Sequence, residues 1–233
     1  MRVLVTRPLE DAEETAVKLA ALGHEAIIAP LLDIKFRDGP EVALDKVQAV
    51  LITSANGVRA LARRTTRRAV AALAVGAQSA ATARELGFSD VRHANGDAAE
   101  LVDLVVAYCS PEKGELLHAA GSETRGDLAG RLTAKGFKVN SDVLYDAVAA
   151  RSLAQLAQDA LSQNAVDAAL FFSPRSARIF SDLVVRSRLK SACSKILALA
   201  MSPAVADELR SLPFRDVRTA SRPNEDALLA LLA

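Results

Sequence analysis

Val47-Gln48-Ala49-Val50-Leu51-Ile52-Thr53-Ser54 returns much later in the chain as Val166-Asp167-Ala168-Ala169-Leu170-Phe171-Phe172-Ser173. Each copy is a short apolar run that ends on a hydroxyl residue and leads into a helix-period segment, the pattern of a parallel strand feeding a crossover helix. Three further pairs stand around it. Val3-Leu4-Val5-Thr6, a helical stretch to Gly23 and Glu25-Ala26-Ile27-Ile28 recur as Leu116-Leu117-His118-Ala119, a stretch to Gly136 and Lys138-Val139. Leu73-Ala74-Val75-Gly76 recurs as Leu197-Ala198-Leu199-Ala200, and Asp90-Val91-Arg92 recurs as Asp216-Val217-Arg218. The spacing between copies grows slowly along the chain, as it does when loops lengthen and elements do not. The repeat predicts an α/β protein of two similar lobes, each a parallel sheet of about five strands flanked by helices.

Length and composition agree. The 233 residues suffice for two domains of roughly 100–120 residues each. Apolar residues make up 51% of the chain, enough for two cores. With 29 basic and 28 acidic side chains there is no overall field to attract nucleic acid or a membrane. Seven Phe, two Tyr and no Trp leave few platforms for stacking single-stranded bases. The one basic run, Arg63, Arg64, Arg67 and Arg68, falls at a helix end, where cations are favoured, and reads as a solvated face. Cys109 and Cys193 share no CxxC spacing, and with His24, His93 and His118 they form no recognisable metal set. His118 and Cys193 lie in or beside apolar stretches and read as packed. The N-terminus enters a strand at once and the longest apolar run, Ala69 to Ala77, cannot span a bilayer. A cytoplasmic location is expected.

Helices are expected at about Leu9 to Leu22, ending at Gly23, and at Asp127 to Lys135, ending at Gly136, with another ending at Gly87. Two segments break the strand–helix rhythm. Leu32, Ile34 and Phe36 alternate with Asp33, Lys35 and Arg37, a period-two strand with one wet face. Val143, Tyr145 and Ala147 alternate less cleanly with Asp142, Leu144 and Asp146. Neither is followed by the helix a parallel strand needs. Two organisations fit. In one, both segments cross between lobes: residues 1–31 and 148–233 form a discontinuous first lobe, 38–140 the second, and 32–37 and 141–147 a two-stranded ladder. In the other, the lobes follow in tandem and divide near residue 112.

Ligands of open parallel sheets bind beyond the carboxyl ends of strands, where helix N-termini present backbone N–H groups. The residues there are Thr6-Arg7-Pro8, Ser54-Ala55-Asn56-Gly57, Gly76-Ala77-Gln78-Ser79, Gly121-Ser122-Glu123-Thr124-Arg125, Ser173-Pro174-Arg175-Ser176 and Ser202-Pro203-Ala204. Helix capping alone accounts for most of these serines taken singly. Six such loops together suit an anionic ligand with several carboxylates or phosphates. Arg7, Arg125 and Arg175 can each pair with a carboxylate, or stand solvated at a helix start. Tyr145 reads either as a phenol that donates a proton or as a half-buried strand residue. Known nucleotide fingerprints are missing: Gly121 to Gly126 has the glycine spacing of a phosphate loop, but Asp127 stands where Lys is required, and no GxGxxG or GxSxG motif occurs.

Taken in order, Val3-Leu4-Val5-Thr6-Arg7-Pro8, Thr53-Ser54-Ala55-Asn56-Gly57-Val58, Ala74-Val75-Gly76 with Ser79-Ala80, Val143-Leu144-Tyr145, Phe172-Ser173-Pro174-Arg175-Ser176 and Pro223 resemble the uroporphyrinogen-III synthase family over essentially the whole chain. The resemblance implies two α/β lobes joined by a two-stranded ladder. It implies closure of hydroxymethylbilane, a linear tetrapyrrole bearing acetate and propionate arms, with loss of water and inversion of ring D. No cofactor and no metal is implied. By position, Tyr145 matches the family's tyrosine and is expected to assist departure of the hydroxyl. Thr6, Arg7, Ser54, Asn56, Gly76, Ser79, Gly121, Arg125, Ser173, Arg175 and Ser202 are expected to line the substrate cleft. Ser79 stands where the family commonly has Thr, and Ala119-Ala120 replaces a segment that often carries arginine. A monomer is expected, receiving its substrate from the preceding enzyme and binding neither nucleic acid nor membrane. The rival readings are a cytoplasmic two-lobed binding module and a degenerate, non-catalytic homologue.

Overall fold

The computed structural model describes every residue except 97, 124 and 125. In chain order the elements begin with β1 (Arg2–Val5), α1 (Leu9–Ala21), β2 (Glu25–Ile28), β3 (Leu32–Phe36), β4 (Val47–Ile52), α2 (Ala55–Arg64), β5 (Ala71–Ala74), α3 (Ala77–Glu85), β6 (Val91–His93), α4 (Ala98–Tyr108) and β7 (Glu115–Gly121). They continue with α5 (Leu128–Thr133), β8 (Val139–Ala149), α6 (Gln155–Ser162), β9 (Ala168–Phe171), α7 (Pro174–Arg186), β10 (Leu197–Ala200), α8 (Pro203–Leu209), β11 (Asp216–Thr219) and α9 (Glu225–Leu229). Two compact units result, Met1–Asp33 with Val148–Ala233, and Ile34–Ala147.

The first unit holds a five-stranded sheet in the order β11-β10-β9-β1-β2, parallel throughout. The second holds most of a six-stranded sheet in the order β3-β8-β7-β4-β5-β6, in which every pair from β8 to β6 is parallel. Matching the repeats, β4, β5 and β6 correspond to β9, β10 and β11, and β7 and β8 to β1 and β2. The expected α/β architecture of two similar parallel sheets is therefore present. A tandem split near residue 112 would part β1 from β9, yet Val3, Leu4 and Val5 pair directly with Ala168, Ala169 and Leu170. Strands β3 and β8 run antiparallel. Arg37 N–H donates to the Leu144 carbonyl at 2.8 Å, and Ala150 N–H to the Leu31 carbonyl at 3.0 Å.

Why these runs form strands follows from burial on both faces, which a parallel sheet demands. In the first sheet Leu4, Ile27, Ala169, Phe171, Ala198 and Ala200 face one core, while Val3, Val5, Ala168, Leu170, Leu197 and Leu199 face the other. In the second, Val50, Ile52, Ala72, Ala74, Leu117 and Ala119 oppose Ala49, Leu51, Leu73 and Leu116. The many alanines let helices lie close. One close approach is at Gly57 in α2, where an added Cβ would land on the Ala119 carbonyl oxygen of β7. Gly23 and Gly87 end their helices in the left-handed region, at φ of 77° and 90°. At each stop the following residue closes a 6→1 bond, His24 N–H to Leu19 and Phe88 N–H to Ala83.

Two details depart from the sequence reading. The residues expected as a lobe strand near Val139 and as a separate crossing at 141–147 are one continuous strand, β8. The register with β7 steps between Ala120 and Gly121, so that Ala120 pairs with Val143 and Gly121 with Tyr145. That bulge lets one strand serve β7 on one edge and β3 on the other. The arginine run is also more than a solvated face. Arg68 donates to the carbonyls of Ala62, Thr65 and Leu86, Arg64 to those of Pro40 and Arg37, and Arg63 lies 4.3 Å over the Phe36 ring. These side chains satisfy the carbonyl end of α2 and tie it to the segment before β4. Gly57→Ala is predicted to lower stability by about 2 kcal/mol through overpacking against backbone, read as a drop in urea midpoint at unchanged slope. A midpoint equal to the parent's would show that α2 has room to move off β7.

Candidate functional site

Each sheet reverses its direction of growth at one place, between β1 and β9 in the first unit and between β4 and β7 in the second. At such a switch point neighbouring loops diverge and leave a crevice at the strands' carboxyl ends. The expected site residues gather there, unit by unit.

In the unit Met1–Asp33 with Val148–Ala233, the loops after β1, β9 and β10 bring Thr6, Arg7, Ser173, Arg175 and Ser202 to one end of the sheet. Thr6 is fully buried and its hydroxyl donates to the Leu170 carbonyl at 2.7 Å, stitching β1 to β9. Arg7 is only 6% exposed. Its guanidinium donates to Glu225 at 3.0 Å and to Thr15 at 3.2 Å, approaches Asp11 at 3.4 Å, and stacks 4.3 Å from the Phe172 ring. Glu225 also accepts from Lys18 and Thr15. Burial alone would raise the Glu225 carboxyl, but the hydrogen bonds from Lys18 and Thr15 and the charges of Arg7 and Lys18 outweigh it and leave it below its ordinary value. Arg7 therefore pins α9 onto the loop after β1, a task inside the unit. Ser173 caps α7, accepting from Ser176 N–H at 3.1 Å, with Pro174 in the first turn. Ser202 stands at the same place on α8 but its side chain makes no capping bond, so capping does not account for it. Arg175 is half-buried in the first turn of α7.

In the unit Ile34–Ala147, the loops after β4, β5 and β7 present Ser54, Asn56, Gly76, Ser79 and Gly121. Ser54 caps α2 through Asn56 N–H at 3.2 Å, and Asn56 is buried with its amide oxygen accepting from Arg59 at 3.2 Å. Gly76 begins α3 with no side-chain cap, and Ser79 is buried one turn in. Arg125 lies outside the described residues. Tyr145 is 9% exposed and its ring covers Gly121: a Cβ built there would sit 2.7 Å from Cζ and 3.0 Å from the hydroxyl oxygen. Thr53, which the sequence reading quoted without singling out, meets Nε2 of His118 at 3.1 Å across the switch point. His118 is 5% exposed, and burial pushes its pKa down, so an uncharged imidazole sits there.

Four of the helix starts at these loops share an electrostatic property. The first turns of α2, α3, α7 and α8 contain no acidic residue, whereas α1 has Glu10 and Asp11 and α9 has Glu225 and Asp226. At α2, α3, α7 and α8 the partial positive charge of the helix start is thus not met by a first-turn carboxylate. A hollow of about 630 Å³ opens at the opposite, amino end of β4, β7 and β8, lined by Asp45, Lys46, Glu115, Asn140 and Asp142 among others. There Glu115 is held by Lys138 and Asn140, so its carboxyl is lowered and already satisfied. Among the described residues no group of three His, Cys, Asp or Glu side chains is placed to hold a metal, and no helix is long and apolar enough to cross a membrane.

Two parallel α/β sheets of one topology, with hydroxyl- and glycine-bearing loops at the carboxyl ends of their strands, define a class of double-sheet α/β protein. The uroporphyrinogen-III synthase HemD family model matches residues 13–230, and the chain belongs to that family of ring-closing lyases. Among solved structures, the chain is similar to the uroporphyrinogen-III synthetase of Helicobacter pylori, at 18% identity and a TM-score of 0.63 over 100% of this chain and 98% of that one. It is likewise similar to a mutant uroporphyrinogen III synthase of Thermus thermophilus, at 19% identity and a TM-score of 0.55 over 100% and 97%. No curated protein sequence matches it.

The buried Glu225 yields a prediction. Its folded pKa lies below the ordinary 4.5, so its contribution to stability is complete above that value and fades as the pH falls through the lower folded one. Glu225→Gln should destabilise by about 3 kcal/mol at neutral pH and flatten the loss of stability below pH about 4.5. Urea titrations from pH 7 down to 3 check both; a variant as acid-sensitive as the parent would contradict the assignment.

Proposed function

We propose that the chain closes hydroxymethylbilane to uroporphyrinogen III, losing water and inverting ring D, and that it does so mainly by holding the substrate's carboxylate arms at the strand-end loops. The match of the family model to residues 13–230 carries the reaction. Support for the binding mode comes from the first turns of α2, α3, α7 and α8, free of acidic residues, next to the hydroxyls of Ser54, Ser173 and Ser202 and the amide of Asn56. Backbone N–H groups and neutral donors grip carboxylates without the net charge that the chain lacks.

Tyr145 is the group we assign to the departing hydroxyl. Breaking the C–O bond releases hydroxide unless a proton arrives with it, and a phenol near the bond supplies one so that water leaves. The electron-poor carbon left behind is then attacked from ring D. Catalysis of this kind needs orientation more than a strongly shifted acid, because the uncatalysed closure already proceeds to the uninverted isomer. Arg175 would bind a propionate or acetate arm, and so would Arg125. Arg7 has no part in this reading, since its guanidinium serves Glu225. We further propose that the protein works as a cytoplasmic monomer that takes hydroxymethylbilane from the enzyme that makes it. Its two free cysteines suit a reducing compartment.

The test supplies enzymatically generated hydroxymethylbilane, oxidises the products and separates isomers I and III. Isomer III should form faster than background; isomer I alone at the rate without protein would overturn the reading. Tyr145→Phe should keep its fold and lower kcat by about tenfold or more, as loss of a positioned proton donor does. Full turnover would remove Tyr145 from the mechanism. Arg175→Ala should raise KM more than it lowers kcat, and an effect confined to kcat would contradict a binding role.

A further inference from the structure

Strand β8 contains one residue too many for its pairing with β7. Ala120 pairs with Val143 and Gly121 with Tyr145, which leaves Leu144 opposite nothing on that edge. Because a strand's faces alternate, Tyr145 would otherwise share the face of Val143, which is 39% exposed. The extra residue turns it inward instead, and Leu144 and Tyr145 are buried side by side in one core cluster. The bulge is therefore what lays the Tyr145 ring on Gly121.

Something must hold the bulge, since it interrupts the ladder and frees its carbonyls. Two residues do so, one from each edge, and Arg37 grips β8 twice. Arg37, just beyond the end of β3, donates its backbone N–H to the Leu144 carbonyl at 2.8 Å. Its guanidinium binds both carboxylate oxygens of Asp146, with Nε at 2.8 Å and Nη2 at 2.7 Å. Ser122, just beyond the end of β7, donates its backbone N–H to the Tyr145 carbonyl at 2.9 Å. The carbonyls of both bulge residues are thus taken from opposite edges, and Asp146, the next residue along, is tied to one of the two donors. Bonding to Arg37 above all holds the Asp146 carboxyl down to about 2.

We infer that Asp146 is a positioning residue: with Arg37 it clamps the β8 bulge, which the Ser122 N–H holds from the other edge, and so fixes the Tyr145 phenol over Gly121 for the ring-closing reaction. An exposed ion pair of this type adds little to global stability, particularly in salt. Its fork geometry defines direction, which is what a reacting phenol requires. The inference rests on the reading of Tyr145 as the group acting on the departing hydroxyl.

The experiment separates the two claims. The chain has two tyrosines and no tryptophan, so Tyr108→Phe leaves Tyr145 as the sole emitter. That substitution keeps a ring beneath Arg92, whose guanidinium lies 3.9 Å from the centre of the Tyr108 ring. In that background, acrylamide quenching of Tyr145 emission, kcat, KM and the ratio of isomer III to I are measured for Asp146→Ala, Asp146→Asn, Arg37→Lys and Tyr145→Phe, the last for activity only. Asp146→Ala should raise the quenching constant about twofold, as local order is lost at unchanged global fold. It should lower kcat about tenfold at similar KM and raise the share of isomer I, as misplacement of a catalytic group does. Asp146→Asn should recover part of each effect, and Arg37→Lys, which cannot bind both oxygens, should fall between. Parental quenching in the Ala and Lys variants would overturn the clamp. Raised quenching with parental kcat and isomer ratio, alongside a slow Tyr145→Phe, would overturn its role in the reaction. Full activity of Tyr145→Phe would instead overturn the reading of Tyr145, while quenching still decides whether the clamp exists. Should Asp146→Ala fail to fold, Asp146→Asn and Arg37→Lys carry the same comparison.

Discussion

Everything in this protein depends on covering both faces of two parallel sheets. Parallel strands cannot be joined by hairpins, so each must be followed by a crossover, and the crossovers bring helices to both sides. That requirement explains the strands Ala-Ala-Leu-Phe and Leu-Ala-Leu-Ala, which are apolar at every position instead of alternating. It explains the close approach of α2 to β7 that only Gly57 permits. It also sets all the helix N-termini that follow strands at one end of each sheet, where the loops carry serine, threonine, asparagine and glycine. The same polarity gathers hydroxyl, amide and backbone N–H groups at one end of each sheet.

How much of this was legible in the sequence depends on the range of the interaction. The repeat at Val47 and Val166 carried the strands, because full burial writes a continuous apolar run. Helix stops at Gly23 and Gly87 were legible through the left-handed backbone that glycine tolerates. The ends of α6 and α7 were not, since Asn164 and Arg188 adopt positive φ values of 52° and 57° in the same role. The length of β8 was missed for a related reason. A bulge shifts the alternation by one, so Leu144 and Tyr145 point inward together and the period-two pattern breaks where the strand is in fact continuous. The arginine run looked like a solvated face because its acceptors are backbone carbonyls, which leave no mark on side-chain sequence.

The candidate site shows the same division. Serines after strands were found because position alone identifies them, and the capping of α2 and α7 by Ser54 and Ser173 is a local matter of three residues. What Arg7 does was beyond reach, because its partner Glu225 lies at the far end of the chain and nothing in either neighbourhood names the other. Asp146 is similar: its partner Arg37 is 109 residues away. Thr53 and His118 meet only because β4 and β7 are adjacent at the switch point. Local chemistry is readable from spacing; pairings made by topology have to be seen.

A physical contrast between the two ends of the second sheet sharpens the account. The hollow at the amino end is roomy, but its acidic groups include Glu115, already bonded to Lys138 and Asn140, and they would repel a carboxylate-rich ligand. The carboxyl-end loops offer better chemistry for such a ligand. The most direct test of the central claim is a titration of the isotopically labelled protein with uroporphyrin III, an unreactive relative of the product, followed by amide chemical shifts. The account predicts that shifts concentrate at residues 54–57, 76–79, 121–123, 173–176 and 202–204. Shifts centred on Lys46, Glu115 and Asn140, with the strand-end loops silent, would contradict it.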